Sequence, residues 1–371
     1  MVLTGVIAAL FITYALLIIY YWQSWKSVPV FQSSQQPPST KITVIVPARN
    51  EEIHIEALLH SISDQSYPKK LFEVFVVDDN STDNTALLTL QFPFVKLITL
   101  KEQGINSHKK KAIEIGVAAA SGDLIITTDA DCIVPPNWLL TIENFYKQTN
   151  AVFVVAPVDI NCGSSLVQVF QAMDFMVLQG ITGASVYKQV HSMCNGANLA
   201  YERKAFHAVN GFMGIDHIAS GDDMLLMYKI EKHFTGRIQY LKSKDAIVST
   251  QPVKSWSAFF NQRIRWASKA DKYDDKRIFW VLVVVYFLNL SFLGLLVAGF
   301  WSAFYWWAAL VLLIAKTLVE YPFLISISSF FNKKYMLAYF AFLQPLHILY
   351  TIIAGWLGKF GSYEWKGRRV K

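Results

Sequence analysis

An uncharged apolar run from Val2 to Trp22 opens this chain, and three more runs of similar length close it: Ile278 to Phe300, Ala303 to Ile327 and Tyr335 to Leu357. A helix needs about 20 apolar residues to cross the hydrocarbon core of a bilayer. Backbone polar groups in lipid must be satisfied within their own segment, so such runs are predicted to be helices. A chain with four of them does not fold as a single soluble globule. Its 371 residues are 53% hydrophobic and 15% aromatic, which fits a membrane protein with a soluble part.

A signal peptide would carry positive charge before its apolar core and small residues at a cleavage site. Here the first charge, Lys26, follows the core, and Tyr20, Tyr21, Trp22 and Trp25 resemble an interfacial belt. The prediction is an uncleaved anchor over 1–25, its amino terminus outside and Lys26 in the cytoplasm. In the closing runs, Lys316 and Glu320 stand at i, i+4 and are expected to pair inside a bundle. Lys333 and Lys334 precede the last run, and a basic tail over 359–371 follows it, with Lys359, Lys366, Arg368, Arg369 and Lys371. The positive-inside tendency puts both clusters in the cytoplasm. Gln344, Pro345 and His347 lie mid-segment, with Gly355 and Gly358 near its end, so a re-entrant or interfacial last segment is expected.

The net charge is +7, with basic residues concentrated near the apolar runs and no basic repeat or RNA-binding motif. Lipid headgroups, not nucleic acid, are the expected partner. Cys132, Cys162 and Cys194 have neither metal-type nor disulfide-framework spacing, which fits a reducing compartment.

Between anchor and bundle, the linker 26–40 ends in the Pro-rich "SSQQPPST". Three segments then repeat one plan: "KITVIVPARNEE", "LFEVFVVDDNSTDNT" and "ASGDLIITTDADC" each run from a strand-type apolar stretch into an acidic loop. Helix-type segments, Glu51 to Ile62 and Lys109 to Ala120, lie between them. Alternating strands and helices predict an α/β fold with a parallel sheet and right-handed crossovers. Ligands bind beyond the carboxyl ends of such strands. All three acidic clusters, Glu51/Glu52, Asp78/Asp79 and Asp129/Asp131, fall there.

Residues i and i+2 of an extended chain point the same way, so Asp129 and Asp131 present hard oxygen ligands to one side. That suits Mg²⁺ or Mn²⁺, which neutralises a diphosphate leaving group. The plain alternative is a solvated turn. Asp222 of "GDD" stands where it could cap a helix beginning at Met224. In "KSWSAFFNQRIRWASK", Trp256, Phe259, Phe260 and Arg263 share one helical face, as in a helix lying on a membrane.

Six motifs in order, "VPARNEE", "VVDDNSTDNT", "TTDADC", "NGANLAY", "SGDDMLL" and "QRIRW", make the chain resemble the membrane-bound family 2 glycosyltransferases. That inverting family includes cellulose, hyaluronan and poly-N-acetylglucosamine synthases and lipid glucosyltransferases. The resemblance covers Lys41 to about Tyr273. It implies a GT-A (Rossmann-like) domain over 41–253, with a mixed, mostly parallel sheet flanked by helices. An amphipathic segment over 254–277 and membrane segments over 278–358 follow.

The resemblance also implies roles. Pro47 and Glu51 shape the nucleotide pocket. Asp78 or Asp79 bonds base or ribose. Lys109 stands at the family's lysine, leaving Lys110 and Lys111 solvated or phosphate-steering. Asp129 binds the donor and, with Asp131, the metal. Asn195 and Gly196 form the sugar-side loop. Asp223 is the catalytic base, and Asp222 replaces the more usual Glu. Gln262, Arg265 and Trp266 form the Q-x-x-R-W signature: Arg265 reaches the diphosphate and Trp266 offers a flat face to the acceptor. Ser81 and Asp83 are expected only to cap a helix.

The implied activity is transfer from a nucleotide sugar, UDP-linked by resemblance, to a lipid, lipid-linked or growing glycan acceptor. The implied location is the cytoplasmic face of the inner or plasma membrane, in a multi-pass protein. A processive polysaccharide synthase shares every motif. A transporter would want more segments and an internal repeat. A non-catalytic nucleotide-binding scaffold would not need the intact acids.

Overall fold

The computed structural model describes residues 2–33, 37–102, 107–191, 193–219, 221–268, 275–360, 363–365 and 368–370. Part of the linker (34–36), Ser220 of "SGDD", Tyr273, Lys366 and Lys371 lie outside these. The chain divides into two compact units. A sheet unit holds Val28–Asn161 and Ser185–Gln251, and a helical unit holds Met1–Ser27, Cys162–Ala184 and Pro252–Lys371. The stretch 162–184, inside the predicted 41–253 domain, therefore packs with the apolar helices.

The sheet unit is built on β1 (Ile42–Ala48), β2 (Phe72–Asp78), β3 (Val95–Thr99), β4 (Leu124–Thr127), β6 (Phe153–Val155), β8 (Leu199–Glu202) and β9 (Ile238–Tyr240). They form one sheet in the order β3-β2-β1-β4-β8-β6-β9. β1 pairs in parallel with β2 and β4, and β2 with β3, while β8 runs antiparallel to β4 and β6. β5 (Cys132–Ile133), β10 (Val248–Thr250) and β7 (Val158–Ile160) form a second, small sheet. Val44, Ile45 and Val46 of β1 are wholly buried, as a central strand covered on both faces requires. Gly122 admits the turn into β4: a Cβ there would stand 2.6 Å from the Thr43 backbone nitrogen.

Helices α2 (Ile55–Ser63), α3 (Thr85–Thr89), α4 (His108–Ala119), α5 (Trp138–Thr149), α7 (Arg203–Ala208) and α8 (Met224–His233) surround the sheet strands in sequence. Because β2, β1 and β4 are parallel neighbours, the loops that follow them emerge side by side. Those loops carry Asp78/Asp79, Glu51 and Asp129/Asp131.

The helical unit contains α1 (Val2–Ser27), most of α6 (Leu166–Lys188), α9 (Trp256–Ala267), α10 (Lys276–Ala298), α11 (Ala303–Phe330) and α12 (Leu337–Phe360). Four stretches, 3–27, 276–298, 303–330 and 334–360, are long and apolar enough to cross a membrane. The expected aromatic belt on α1 is corrected in part. Tyr21 and Trp25 are buried, and Trp25 meets the Phe330 ring edge-on at 5.4 Å.

Of the expected re-entrant or interfacial last segment, the re-entrant turn is corrected, because α12 runs unbroken through Pro345. Its polar neighbour has partners inside the bundle. Gln344 accepts from the Lys316 ammonium at 2.7 Å and donates to Glu320 at 2.5 Å. Lys316 and Glu320 pair at 2.7 Å, as their spacing predicted. A pair of short strands, β11 (Tyr363–Trp365) and β12 (Arg368–Val370), forms an antiparallel ladder in the tail.

Candidate active site

The loops after β1 and β2 are laced together. Asn50, at φ 51°, donates its N–H to Ser81 Oγ and accepts from the Thr82 N–H, each at 2.9 Å. The Glu51 N–H donates to Thr85 Oγ1, and the Glu52 N–H to Asp83 Oδ2. Asp83 also accepts from the Thr85 N–H, a capping bond at the start of α3. Ser81 departs from the expected cap, because its hydroxyl serves the neighbouring loop. Pro47 lies in β1 opposite Val77.

Asp78 closes β2, and its carboxylate accepts from the Ser81 N–H at 3.2 Å. Asp79 is pinned by two side chains that the motif reading left unassigned. Arg49 approaches its carboxylate at 3.6 Å and donates to its carbonyl at 2.5 Å, and His108 Nδ1 lies 2.8 Å from its Oδ1. Arg49 stands within "VPARNEE" and His108 beside the lysines, so the signal was adjacency to motifs already singled out.

The centre of the site is a knot of opposite charges. Lys109, in the first turn of α4, places its ammonium 2.6 Å from Asp129 and 3.3 Å from Asp222. Burial alone would lower the Lys109 pKa. Asp129 first, then Asp222, outweigh that and hold it well above the usual lysine range, so it is an ammonium at every physiological pH. Gly196 completes the knot. Its N–H donates to Asp223 Oδ2 at 3.1 Å, and a Cβ there would come within 3.0 Å of both Asp222 Oδ2 and Lys109 Nζ. Asn195 turns the chain in, its side chain accepting from the Ala197 N–H.

Asp223, not Asp222, caps α8, its Oδ1 accepting from the Met224 N–H at 2.8 Å. The expected cap therefore sits one residue later. Two backbone donors, one on each oxygen, fix the orientation of the Asp223 carboxylate. In the acidic loop after β4, burial first and then the charges of Asp131 and Asp129 push the Cys132 thiol well above its ordinary pKa.

Lys110 and Lys111 do not share one fate. Lys111 is partly exposed and pairs with Glu102 at 3.2 Å. Lys110 is buried, which corrects the expectation of a solvated residue. Its ammonium donates to the Ile215 and Ile218 carbonyls at 2.7 and 2.6 Å. Ser107 donates to the Asp216 carbonyl, and Lys229 of α8 to the Gly211 and Met213 carbonyls. The loop leading to Asp222 and Asp223 is thus fastened from both sides by side chains that no motif marks.

Among the described residues, no cluster of three or more His, Cys, Asp or Glu side chains could hold a metal by protein ligands alone. The donor chemistry still fits Mg²⁺ or Mn²⁺. Such ions take one or two carboxylates and leave their other positions to phosphate and water. Asp129 and Asp131 would be that pair.

The Q-x-x-R-W residues belong to the helical unit, so the structure does not gather them with the acids in one compact unit. On α9, Gln262 accepts from Gln171 Nε2 at 3.2 Å and from Arg263 Nη1 at 3.1 Å. One face of Trp266, expected to be open, is covered by the Arg263 guanidinium 4.2 Å from the ring centroid. The apolar side of α9, expected to lie on lipid, packs on α6 and α12. Phe259 is fully buried, with Phe170 and Tyr350 both 5.4 Å from its ring centroid.

Residues 43–209 match the family described as Glycosyl transferase family 2. "Probable glycosyltransferase YdaM" of Bacillus subtilis is 26% identical over 259 residues, covering 67% of this chain and 59% of that protein. "Beta-monoglucosyldiacylglycerol synthase" of Synechocystis is 31% identical over 113 residues, 29% of this chain and 23% of that protein. The chain thus spans less than two thirds of these relatives' own lengths. Among solved structures, the mannosyltransferase PcManGT from Pyrobaculum calidifontis, in complex with GDP-Man and Mn²⁺, superposes with a TM-score of 0.56 at 20% identity. That match covers 94% of this chain and 98% of the other, and it shows a shared GT-A fold.

Proposed function

We propose that this chain, which carries a family 2 glycosyltransferase domain across residues 43–209, is a membrane-bound inverting glycosyltransferase using a nucleotide-sugar donor, a UDP-sugar, and a lipid or lipid-linked acceptor. The observation that carries the reading is the knot of Lys109, Asp129, Asp222, Asp223 and Gly196 at the carboxyl ends of parallel strands. Asp223 takes the proton of the acceptor hydroxyl. The acceptor oxygen forms its bond to the anomeric carbon as the bond from that carbon to the diphosphate breaks, so the configuration inverts and the nucleoside diphosphate leaves. The Gly196 and Met224 N–H groups keep the Asp223 carboxylate aimed during that transfer.

Lys109 balances the acids and faces the departing diphosphate. Pro47, Glu51 and the Asp78/Asp79 pair form the nucleotide side, and Asn195 lines the sugar side. Asp129 and Asp131 would hold Mg²⁺ or Mn²⁺, which supplies positive charge to the leaving group. Gln262, Arg265 and Trp266 serve the diphosphate and acceptor. Four apolar helices, and a relative named for a glycolipid product, support a lipid acceptor. The catalytic domain faces the cytoplasm, where nucleotide sugars are made.

The test is incubation of membranes bearing the full chain with labelled UDP-sugars and Mn²⁺. A single-sugar product that partitions into organic solvent supports the reading. A long water-soluble polymer replaces it with processive synthesis, and no product from any nucleotide sugar overturns it.

A further inference from the structure

Asp174 lies on α6, outside every motif. It is 7% exposed, yet it carries a charge among apolar helices. Its carboxylate pairs with the guanidinium of Arg263 at 2.6 Å and accepts from the Tyr350 hydroxyl at 2.5 Å. Three helices, α6, α9 and α12, therefore meet at one carboxylate. Arg263 is as deeply buried, and its guanidinium is held between two rings of its own helix: Phe259 at 4.7 Å and Trp266 at 4.2 Å from their centroids. The same guanidinium donates to Gln262 Oε1 at 3.1 Å, and Gln171, one turn before Asp174 on α6, donates to that oxygen at 3.2 Å. Gln171 also accepts from the Val253 N–H just before α9.

A helix held by one apolar stripe can roll and slide, because burial has no direction. A close ion pair such as Arg263–Asp174, at 2.6 Å, resists rolling, because turning the helix pulls the two buried charges apart. Gln262, Arg265 and Trp266 share one face of α9, and Arg263 points about 100° away from Gln262 around the axis. Fixing Arg263 against Asp174 therefore sets the direction in which the signature residues face. Breaking the pair by removing one partner would strand the other charge, which is why the orientation is stiff.

We infer that Asp174 is a positioning residue for glycosyl transfer, acting through Arg263 to hold Gln262 and Trp266 in register. This rests on the reading above that the α9 signature serves donor and acceptor.

The experiment is a double-mutant cycle in the full, membrane-embedded chain. Asp174→Asn, Gln262→Ala and the pair are assayed for transfer rate and donor KM, with Asp223→Asn alongside. Displacing a reacting group by about 1 Å can cost on the order of a hundredfold in rate, so Asp174→Asn is expected to lose about tenfold to a hundredfold. The double variant is expected to lose clearly less than the product of the two single losses, because part of the Asp174 effect runs through Gln262. Losses that multiply, or a wild-type rate in Asp174→Asn, overturn the inference. If Asp174→Asn does not accumulate, Tyr350→Phe removes one donor while keeping the ion pair. It is then expected to give a smaller loss of about threefold that shrinks in the Gln262→Ala background, and multiplying losses again overturn the inference. If Asp223→Asn is fully active, the transferase reading itself fails. If Asp223→Asn is dead and Asp174→Asn normal, only the positioning role fails.

Discussion

Both units bury opposite charges, and they do so in opposite ways. In the helical unit, Lys316 is 0% exposed and Arg263 4% exposed, and each closes on a carboxylate that neighbouring helices also bind. In the sheet unit, Lys109 and Asp129 keep 25% and 36% of their side-chain surface open while paired. A closed pair has spent its charge on architecture. An open pair, at the ends of parallel strands, can exchange its partner for a phosphate or a metal. The difference separates groups that hold a fold from groups that do chemistry, and each of the following measurements is aimed at it.

The largest expected effect is at the open site. Asp223→Asn keeps the size of the side chain and one of the two backbone contacts, from Gly196 or Met224, but removes the proton acceptor. Transfer is expected to fall about 10²–10⁴-fold, the usual share of general-base catalysis, with donor binding retained. Binding and turnover falling together would make Asp223 a binding residue. The closed pairs are expected to respond differently. Lys316→Met should destabilise the detergent-solubilised protein by about 3–5 kcal/mol, because it leaves Glu320 buried and uncompensated. Adding Glu320→Gln should recover most of that. A loss of transfer with no change in thermal unfolding would break the comparison. Asp131→Ala comes next, with an expected loss of at least about 10²-fold, the scale of one lost charge-stabilising contact. It should coincide with loss of Mn²⁺ binding, and full activity of the parent chain in excess EDTA would refute the metal.

How much of this could be seen beforehand follows the same division. The strands were legible because two buried faces leave a run such as "ITVIVPA" with no other fold to take. The acids were legible because parallel strands deliver their following loops to one edge. What escaped is what depends on rotation and long-range partnership. Three consecutive lysines look alike in the sequence, yet a step of about 100° per residue along α4 sends Lys109 to the acids, Lys110 into the loop before them and Lys111 to solvent. Asp222 and Asp223 were open to the same confusion, since either could cap a helix and only backbone geometry chooses. Gln344 reads as a polar interruption because the residues that satisfy it, Lys316 and Glu320, lie on another helix. Asp174 stood in an unremarked apolar stretch, and its meaning exists only through Arg263.

The smallest expected effect tests a charge in the sheet unit that does hold the fold. Glu73, on β2, accepts from Thr43 of β1 at 2.9 Å, from the Ser121 N–H at 2.7 Å and hydroxyl at 2.8 Å, and from Lys96 of β3 at 2.9 Å. Burial works against its ionised form, but the Ser121 N–H first, then Lys96 and the two hydroxyls, bring the carboxyl down to about 2. A depressed folded-state pKa means that the unfolded chain binds the proton more readily. The stabilisation is therefore complete above the ordinary glutamate range and is lost as pH falls from about 4.5 towards 2. With solvent screening of the Lys96 partner, it amounts to about 1 kcal/mol. Glu73→Gln should lower the denaturation midpoint at pH 7, and the gap from the parent should narrow steadily as pH drops to 3. A gap that is constant across this range would show that shape and neutral hydrogen bonds, not the charge, join these three strands.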